Sequence, residues 1–311
     1  MALDRRTPKT HPHKQFISQQ ATNLYSGYKG EKALEYYLQF LPENQFFIFH
    51  YLRFLDKYGH FQLDFLLLSA YFHLIIEVKN VYDNMNFDEL GQAFRVMGDD
   101  VEVFRSPIEQ VNMQHNRLKS LYRNHDFPTV PIKKIVVYSR DDMYLRNLAN
   151  NKVINDTVMH RDHVLPKIEN FTEMYQTPYF SEEQLMELSS TLMGAHRPED
   201  FLLMERLRVS QEELIKGVFC PNCGCVPMLW KHGKWHCKSC GCVSKNAHRT
   251  TLADYALLSD EYINNRQARQ FLLMDSIHTA KRVLQKEASE EIGNRGGRKY
   301  KLDIDKLLAK C

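Results

Sequence analysis

The chain has 311 residues, of which 43% are hydrophobic and 25% are charged. This is the composition of an ordinary globular protein with room for two or three domains. It contains no uninterrupted apolar run that approaches the length of a membrane span, and its polar, basic N-terminus lacks the apolar core of a signal peptide. We therefore expect a cytoplasmic protein with no membrane partner.

The charge is distributed unevenly along the chain. The formal net charge is +3, but residues 206–311 contain 19 Lys and Arg against 11 Asp and Glu, which is a net +8. The remaining 205 residues contain 22 basic and 27 acidic residues, a net −5. This asymmetry predicts that the basic C-terminal part contacts phosphate and that the acidic N-terminal part holds a divalent metal.

In chain order, the first prediction is a flexible basic arm over 1–24. A frayed terminus is the favoured interpretation of this arm, and an arm that contacts nucleic acid is the alternative. From Gly30, residues 31–40 show helical spacing, and the apolar stretches 46–55, 61–69 and 73–80 are predicted strands.

The segment that follows completes an α/β pattern. Residues 81–105 are ambiguous, Ser106-Pro107 begins a predicted helix that reaches Tyr122, and 132–138 is a further strand. Residues 141–216 are predicted to be mainly helical, with capping boxes at Ser181 and Ser210. A helix, three strands, a helix and a strand predict an α/β domain with a mixed sheet.

Three charged residues interrupt two of the apolar strands. Glu77 and Lys79 share one strand face because side chains alternate, and the short turn before this strand brings Asp64 near Glu77. Converging carboxylates suit Mg²⁺ or Mn²⁺, which would activate a water, while Lys79 positions that water or stabilises charge on phosphorus. The alternative is a strand edge with one Glu–Lys pair and with Asp64 capping a turn.

Six of the seven cysteines lie between residues 220 and 242. Cys220-x-x-Cys223 and Cys237-x-x-Cys240, each followed by glycine, predict a zinc ribbon over 217–246 in which four thiolates hold a structural Zn²⁺. Cys225 and Cys242 each follow a predicted ligand by two residues. Three interpretations stay open for these two cysteines: structural redundancy, a second metal site and a redox role. Structural redundancy is favoured over the other two.

The basic C-terminal segment 250–311 is predicted to contain a helix over 265–272, a turn over 274–276 and a second helix over 277–287. This pattern resembles a helix-turn-helix, with the Gly-rich basic tail 294–301 as the wing of a winged helix. The alternative is two amphipathic helices packed on the ribbon. The predicted nucleic-acid contacts are His278, Thr279, Lys281, Arg282, Arg295, Arg298 and Lys299.

A family resemblance rests on several short motifs that occur in order over residues 25–145. They are Gly30-Glu31, Gln62-x-Asp64, Ile76-Glu77-Val78-Lys79-Asn80, Ser106-Pro107-x-x-Gln110 and the strand at 136–139. This combination resembles the nuclease-related domain, a relative of the PD-(D/E)xK restriction-type nucleases.

The resemblance implies a restriction-endonuclease-like mixed sheet flanked by helices. It also implies that Asp64 and Glu77 bind metal and that Lys79 assists the attacking water. Glu31 is implied as a third carboxylate, but a negative charge at a helix N-terminus is an equal alternative for it. Gln110 is implied to support metal or substrate, and an ordinary exposed helix residue is its alternative.

The sequence as a whole predicts five regions: a flexible arm over 1–24, a nuclease-like domain over 25–145, a helical linker over 146–216, the ribbon over 217–246 and a helix-turn-helix-like domain over 250–311. The function expected from these regions is metal-dependent hydrolysis of phosphodiester bonds, with nucleic acid, and DNA in particular, as the partner. The alternative is a catalytically inactive nucleic-acid-binding or regulatory protein on a nuclease scaffold. The sequence leaves the oligomeric state open.

Overall fold

A computed structural model of the protein describes residues 1–198, 203–207, 209–294 and 297–309. The chain divides into two compact units, one formed by Asn23–Asp200 and the other by Met1–Thr22 together with Phe201–Cys311. No helix in the described part of the chain is both long enough and apolar enough to span a membrane.

The helices are α1 (Ala2–Arg6), α2 (Lys14–Leu38), α3 (Pro107–Asn124), α4 (Lys152–Thr157), α5 (Val164–Met174), α6 (Glu182–Ala195), α7 (Leu203–Arg206), α8 (His248–Leu258), α9 (Asn265–Leu272), α10 (Ile277–Glu287) and α11 (Ile304–Leu308). The strands are β1 (Phe47–Asp56), β2 (Gly59–Leu68), β3 (His73–Lys79), β4 (Met85–Phe87), β5 (Ala93–Met97), β6 (Asp100–Phe104), β7 (Ile132–Tyr138), β8 (Leu145–Asn147), β9 (Val158–His160), β10 (Leu229–Lys231), β11 (Lys234–His236), β12 (Val243–Ser244), β13 (Tyr262–Asn264), β14 (Glu290–Ile292) and β15 (Lys299–Lys301).

The unit of Asn23–Asp200 is organised around a five-stranded sheet with the order β1-β2-β3-β7-β9. The first three strands pair antiparallel, whereas β3, β7 and β9 pair parallel. The β2–β3 connection is tight because the Ser69 hydroxyl accepts a hydrogen bond from the Phe72 backbone amide at 3.1 Å. Helix α3 provides the crossover that a parallel β3–β7 pair requires. This architecture confirms the predicted α/β class with a mixed sheet flanked by helices.

Both faces of this sheet are covered by apolar side chains. On one face, Leu63 and Ile75 belong to a core that includes Val111 and Leu118 of α3. On the other face, a second core joins strand residues to Leu34 and Leu38 of α2 and to residues of α5. Helices on both faces therefore hold β2 and β3 rigidly in the centre of the unit.

Helix α2 is longer than the sequence predicted, because it begins at Lys14 and not at Gly30. Gly30 lies inside the helix, at a position where a β-carbon would come within 2.6 Å of the Asn80 Cβ and 2.8 Å of the Ser139 Oγ. The glycine thus permits close packing of the helix against the ends of β3 and β7, at the usual cost of glycine inside a helix. As a consequence, Glu31 lies within the helix and not at its N-terminus, which removes the helix-terminus explanation for its charge.

Two further segments differ from the predictions. The ambiguous residues 81–105 form β4, β5 and β6, which join β8 in a separate sheet with the order β6-β5-β4-β8. The region 141–216, predicted to be mainly helical, also contributes the short strands β8 and β9. Strands β4, β8 and β9 have only three residues each, which is too short to show an alternating pattern. The capping box at Ser181 is confirmed, with both reciprocal hydrogen bonds present.

The N-terminal residues differ from the flexible arm that the sequence predicted. The Arg6 side chain is fully buried in the second unit, where its Nε donates to Asp254 Oδ2 at 2.8 Å. Its Nη1 donates to the backbone carbonyls of Ile215 and Gly217. A buried guanidinium needs such partners, so the polar character of this segment reflects specific pairing.

The C-terminal residues of the second unit form the ribbon and a compact helical segment. Strands β10, β11 and β12 make a three-stranded antiparallel sheet. Helices α9 and α10 lie where they were predicted, and Ser276 caps α10 by accepting from the Thr279 amide. The additional strand β13 pairs with β15, which in turn pairs with β14. This arrangement is compatible with a helix-turn-helix followed by a wing, which stays a prediction.

Candidate active site and candidate metal centre

The predicted acidic residues meet in the middle of the central sheet. Phe65 pairs with Ile76 in the antiparallel β2–β3 ladder, so the register places Asp64 across from Glu77. The Val78 backbone amide donates to Asp64 Oδ2 at 2.9 Å. The structure therefore brings together the carboxylates of the two strands, as the short turn predicted.

The Glu77 carboxylate is buried and hydrogen-bonded on both oxygens. Its Oε1 accepts from Lys79 Nζ and from Gln110 Nε2, both at 2.6 Å. Its Oε2 accepts from Gln114 Nε2 at 2.7 Å. Lys79 Nζ also donates to Gln110 Oε1 at 2.9 Å. Gln110 thus contacts the acid–lysine pair directly, which rules against its being an ordinary exposed helix residue.

Gln114 is a site residue that the sequence reasoning missed. It is buried on α3 and links Glu77 to the Gln62 carbonyl, to which its Nε2 donates at 3.0 Å. The signal that could have found it is spacing, because Gln110 and Gln114 are four residues apart and so share one helix face.

Glu31 approaches the same cluster from α2. Its Oε2 is buried without a hydrogen-bond partner. Burial raises the pKa of the Glu31 carboxyl, a hydrogen bond from Tyr51 lowers it, and the charge of Glu77 raises it further. An orphaned carboxylate oxygen near two other acidic groups is chemically suited to a cation.

Tyr51 is a second residue that sequence reasoning missed. In the β1–β2 ladder, His50 pairs with Phe65 and Leu52 pairs with Leu63, so Tyr51 lies across from Asp64 at an interruption of the pairing. Its backbone adopts a φ of 56°, in the left-handed region that a tyrosine rarely occupies. Strained backbone of this kind is concentrated at functional sites. No pattern in the sequence marks the distortion.

The electrostatics of Asp64 show how crowded these acids are. Burial and the charge of Glu77 raise its pKa to about 8, although the Val78 amide opposes the shift and Glu31 adds to it. Bringing a divalent cation to the cluster would relieve this repulsion and favour the ionised carboxylates. The donor types of Glu31, Asp64 and Glu77, together with the orphaned Glu31 oxygen, therefore fit Mg²⁺ or Mn²⁺.

The cysteines form the more compact cluster. The Sγ atoms of Cys220, Cys223, Cys237 and Cys240 all lie within 4.8 Å of one another. The carboxylates do not meet this spacing: across the described residues, the cysteines are the one group of three or more such ligand atoms gathered so closely. A wider carboxylate spacing is compatible with an ion that keeps several of its waters.

Backbone geometry prepares the two cysteine knuckles for metal. The amide of Cys220 donates to the Cys225 carbonyl, and the amide of Cys237 donates to the Cys242 carbonyl. Burial raises the pKa of the Cys220 thiol, but hydrogen bonds from the backbone amides of Cys223 and Asn222 and from the thiols of Cys240 and Cys223 together bring the pKa down to about 6. Because the thiolate is the metal ligand, amides directed at sulfur favour binding. Four sulfur donors in two knuckles fit Zn²⁺.

Cys225 and Cys242 lie outside this group of four. Their carbonyls close the knuckle turns, a role in which the side chain takes no part. Within the described ranges, no second group of three or more ligand atoms includes them. The second metal site that the sequence left open therefore has no support in the geometry.

The predicted nucleic-acid contacts are mostly exposed. His278, Lys281 and Arg282 are exposed on α10, and Lys299 is exposed on β15. Thr279 is partly buried near the start of α10, and Arg298 pairs with Glu291 at 3.0 Å. Arg295 lies outside the described residues. These positions leave a basic helix face accessible, and nucleic-acid binding stays a prediction.

One region of the chain matches a known protein family. The model of the family described as nuclease-related domain matches residues 26–139. The match spans the segment that carries Glu31, Asp64, Glu77, Lys79 and Gln110 and confirms the resemblance seen in the sequence motifs. No curated protein and no solved structure matches the chain.

Proposed function

We propose that this protein is a metal-dependent nuclease that hydrolyses phosphodiester bonds in DNA. The premise is the match of residues 26–139 to the nuclease-related domain. The observation that carries the proposal is the cluster of Asp64, Glu77 and Lys79. Glu77 is buried and contacts Lys79 at 2.6 Å, and Asp64 lies across from it in the sheet. A buried carboxylate is costly unless it is paired or bound to a metal, and clusters of such groups are candidates for functional sites.

Each side chain has a role that follows from its contacts. Glu31, Asp64 and Glu77 would hold Mg²⁺ or Mn²⁺, which supplies an activated water and a polarised phosphate when bound. Lys79 has three N–H donors, of which Glu77 and Gln110 engage two. The third is left for the attacking water or for a phosphate oxygen on which charge develops.

Gln110 and Gln114 keep this arrangement in place. Both donate to Glu77, one to each carboxylate oxygen, and so fix the orientation of the acid without adding charge. An acid held in one orientation binds metal without first losing rotamer freedom, which is the advantage of preorganisation.

The second unit would bind the nucleic-acid substrate. We propose that Cys220, Cys223, Cys237 and Cys240 hold a structural Zn²⁺, since all four positions of a tetrahedral site are filled by protein sulfur. The exposed basic residues of α10 and β15 would contact phosphates.

One observation favours a second candidate, a nucleic-acid-binding or regulatory protein on an inactive scaffold. Glu77 already accepts three hydrogen bonds from Lys79, Gln110 and Gln114. A carboxylate that is satisfied in this way is stable without metal. Binding by such a protein would survive Asp64→Ala and would weaken steeply with salt.

The deciding experiment is cleavage of single-stranded and double-stranded DNA with Mg²⁺ or Mn²⁺ by the full chain. We expect cleavage by the wild type and a loss of at least about 100-fold in Lys79→Ala, since removing one donor to developing charge has effects of this size. Lys57→Ala, at an exposed lysine between β1 and β2, is the matched control. Absence of cleavage by the wild type under all these conditions, with binding retained, would favour the inactive scaffold.

A further inference from the structure

Helix α2 has an exposed face that combines aromatic rings with lysines. From residue 25 onward, the side chains on this face and just beyond the helix end are Tyr25, Tyr28, Lys29, Lys32, Tyr36 and Phe40, which we call the α2 face. The exposed fraction is 59% for Tyr36 and 61% for Phe40. Between Tyr25 and Tyr36 the helix rises about 16 Å. Exposed apolar side chains that gather on one face mark a candidate interaction surface.

Two lysines lie between two pairs of aromatic rings on the α2 face. Lys29 Nζ lies 4.6 Å from the centroid of the Tyr25 ring. Tyr36 and Phe40 meet edge to face with their centroids 5.2 Å apart. Lys32 pairs with Glu35 at 2.6 Å but remains about half exposed. The surface therefore offers π faces and positive charge to the same ligand.

The α2 face adjoins the candidate active site. Glu31 follows Tyr28 by three residues in α2, so these two side chains are neighbours on the helix surface. The Ser26 hydroxyl donates to the Asn80 carbonyl at 3.0 Å, and Asn80 follows Lys79 directly. A strand bound along the α2 face could therefore extend past Tyr28 toward Glu31 and the acidic cluster.

We propose that the α2 face binds single-stranded nucleic acid, with unpaired bases stacked on its rings and phosphates on Lys29 and Lys32. The ligand class follows from the chemistry of the surface. Bases stack on aromatic side chains irrespective of sequence, whereas the faces of bases in a duplex are hidden by their neighbours. The two lysines favour a phosphate-bearing ligand over an apolar protein surface.

The proposal rests on the proposed function in one respect, namely that the strand bound on the α2 face is the one presented to Asp64 and Glu77. It assigns a substrate class to that site: single strands, or duplexes with unpaired ends. A perfectly paired, blunt duplex would lack bases that can reach the rings.

Binding without turnover tests the proposal separately from catalysis. Fluorescence anisotropy of a labelled 15-nucleotide DNA strand and of the corresponding blunt duplex would be measured in EDTA with the full chain. We expect tighter binding of the single strand, and a loss of at least fivefold in single-strand affinity for Tyr28→Ala and for Tyr36→Ala. Tyr36→Phe keeps the ring and should bind as the wild type does. Tyr58→Ala, at an exposed tyrosine between β1 and β2, is the matched control.

Three results would overturn the assignment. They are equal affinity for strand and duplex, single-strand binding by Tyr36→Ala that matches the wild type, and a change of oligomeric state in Tyr36→Ala that shows the face to be occupied by a second copy of the chain. If the expected binding is seen without cleavage in Mg²⁺ or Mn²⁺, the nuclease proposal fails and the α2 face stands. If cleavage is seen but Tyr36→Ala binds normally, the reverse holds.

Discussion

The two candidate metal sites are built on opposite plans. The four cysteines come from two short knuckles. Their Sγ atoms lie 3.6 Å apart for both Cys220–Cys240 and Cys223–Cys237, and Asn222 Nδ2 donates to Cys240 Sγ at 3.6 Å. The carboxylates come from α2, β2 and β3, and Glu77 is held by an ammonium and two amides. We expect the first site to need metal to hold four thiolates together against their mutual repulsion, whereas contacts to Lys79, Gln110 and Gln114 already arrange Glu77 in the second. We therefore expect loss of metal to unfold the first site, whereas the second should keep its arrangement without metal and gain stability only by the free energy of metal binding.

Loss of zinc should give the largest effect. Cys223→Ser removes one donor of four, and apparent zinc-binding energies of roughly 10–16 kcal/mol are typical of small zinc domains. The ribbon should lose its fold. Both tryptophans of the chain lie in it, and Trp235 is fully buried, so intrinsic fluorescence should shift to the red. Cys225→Ser is the control, because Cys225 lies outside the cluster. Identical spectra for the two variants would contradict a four-cysteine site.

In the absence of metal, Asp64→Asn should stabilise the protein, by less than the loss of zinc destabilises it. The Asp64 pKa is about 8 in the folded chain against an ordinary 3.8, so the folded state keeps a proton that the unfolded state releases. Stability is therefore lost as pH rises from about 4 to 8. Asparagine does not titrate and escapes this loss. We expect the variant in EDTA to be more stable at pH 8 by roughly 2–4 kcal/mol.

Urea unfolding at pH 4 and at pH 8 would measure this effect. The advantage of Asp64→Asn should be small at the lower pH and largest at the higher one. With Mg²⁺ present, the wild type should recover, because the metal favours the ionised carboxylate. A constant difference across pH would show that neither burial nor the charge of Glu77 raises the Asp64 pKa in the folded protein.

A smaller loss should follow from removing a contact to Glu77. Gln114→Ala leaves Glu77 Oε2 and the Gln62 carbonyl without their donor, which should destabilise the metal-free protein by about 1–2 kcal/mol. Met113→Ala, at the exposed neighbouring position, controls for the change of helix residue. If urea unfolding shows both variants to be equally stable, the acid site is not organised by this contact.

The same contrast explains what the sequence could predict. Cysteine ligands lie close together in the chain, so spacing alone identified all four residues that cluster. The strand pair of Asp64 and Glu77 was also predictable, because a short turn fixes the register. Gln114 and Tyr51 were not, since one depends on how α3 packs and the other on a local backbone distortion. The start of α2 was missed because the helix was predicted to follow Gly30, whereas Gly30 lies inside it and permits close packing against Asn80 and Ser139.

Tyr51→Phe should give the smallest effect and the sharpest test of how the acidic site is organised. The Tyr51 hydroxyl lowers the pKa of Glu31, whose other oxygen is buried without a partner. Without this hydroxyl, Glu31 should be held less firmly, and the affinity for Mn²⁺ measured by titration calorimetry at pH 8 should fall severalfold, on the order of 1 kcal/mol. Tyr58→Phe is the control, since Tyr58 is exposed between β1 and β2. Unchanged affinity would mean that the Tyr51 hydroxyl does not hold Glu31 in position for the metal.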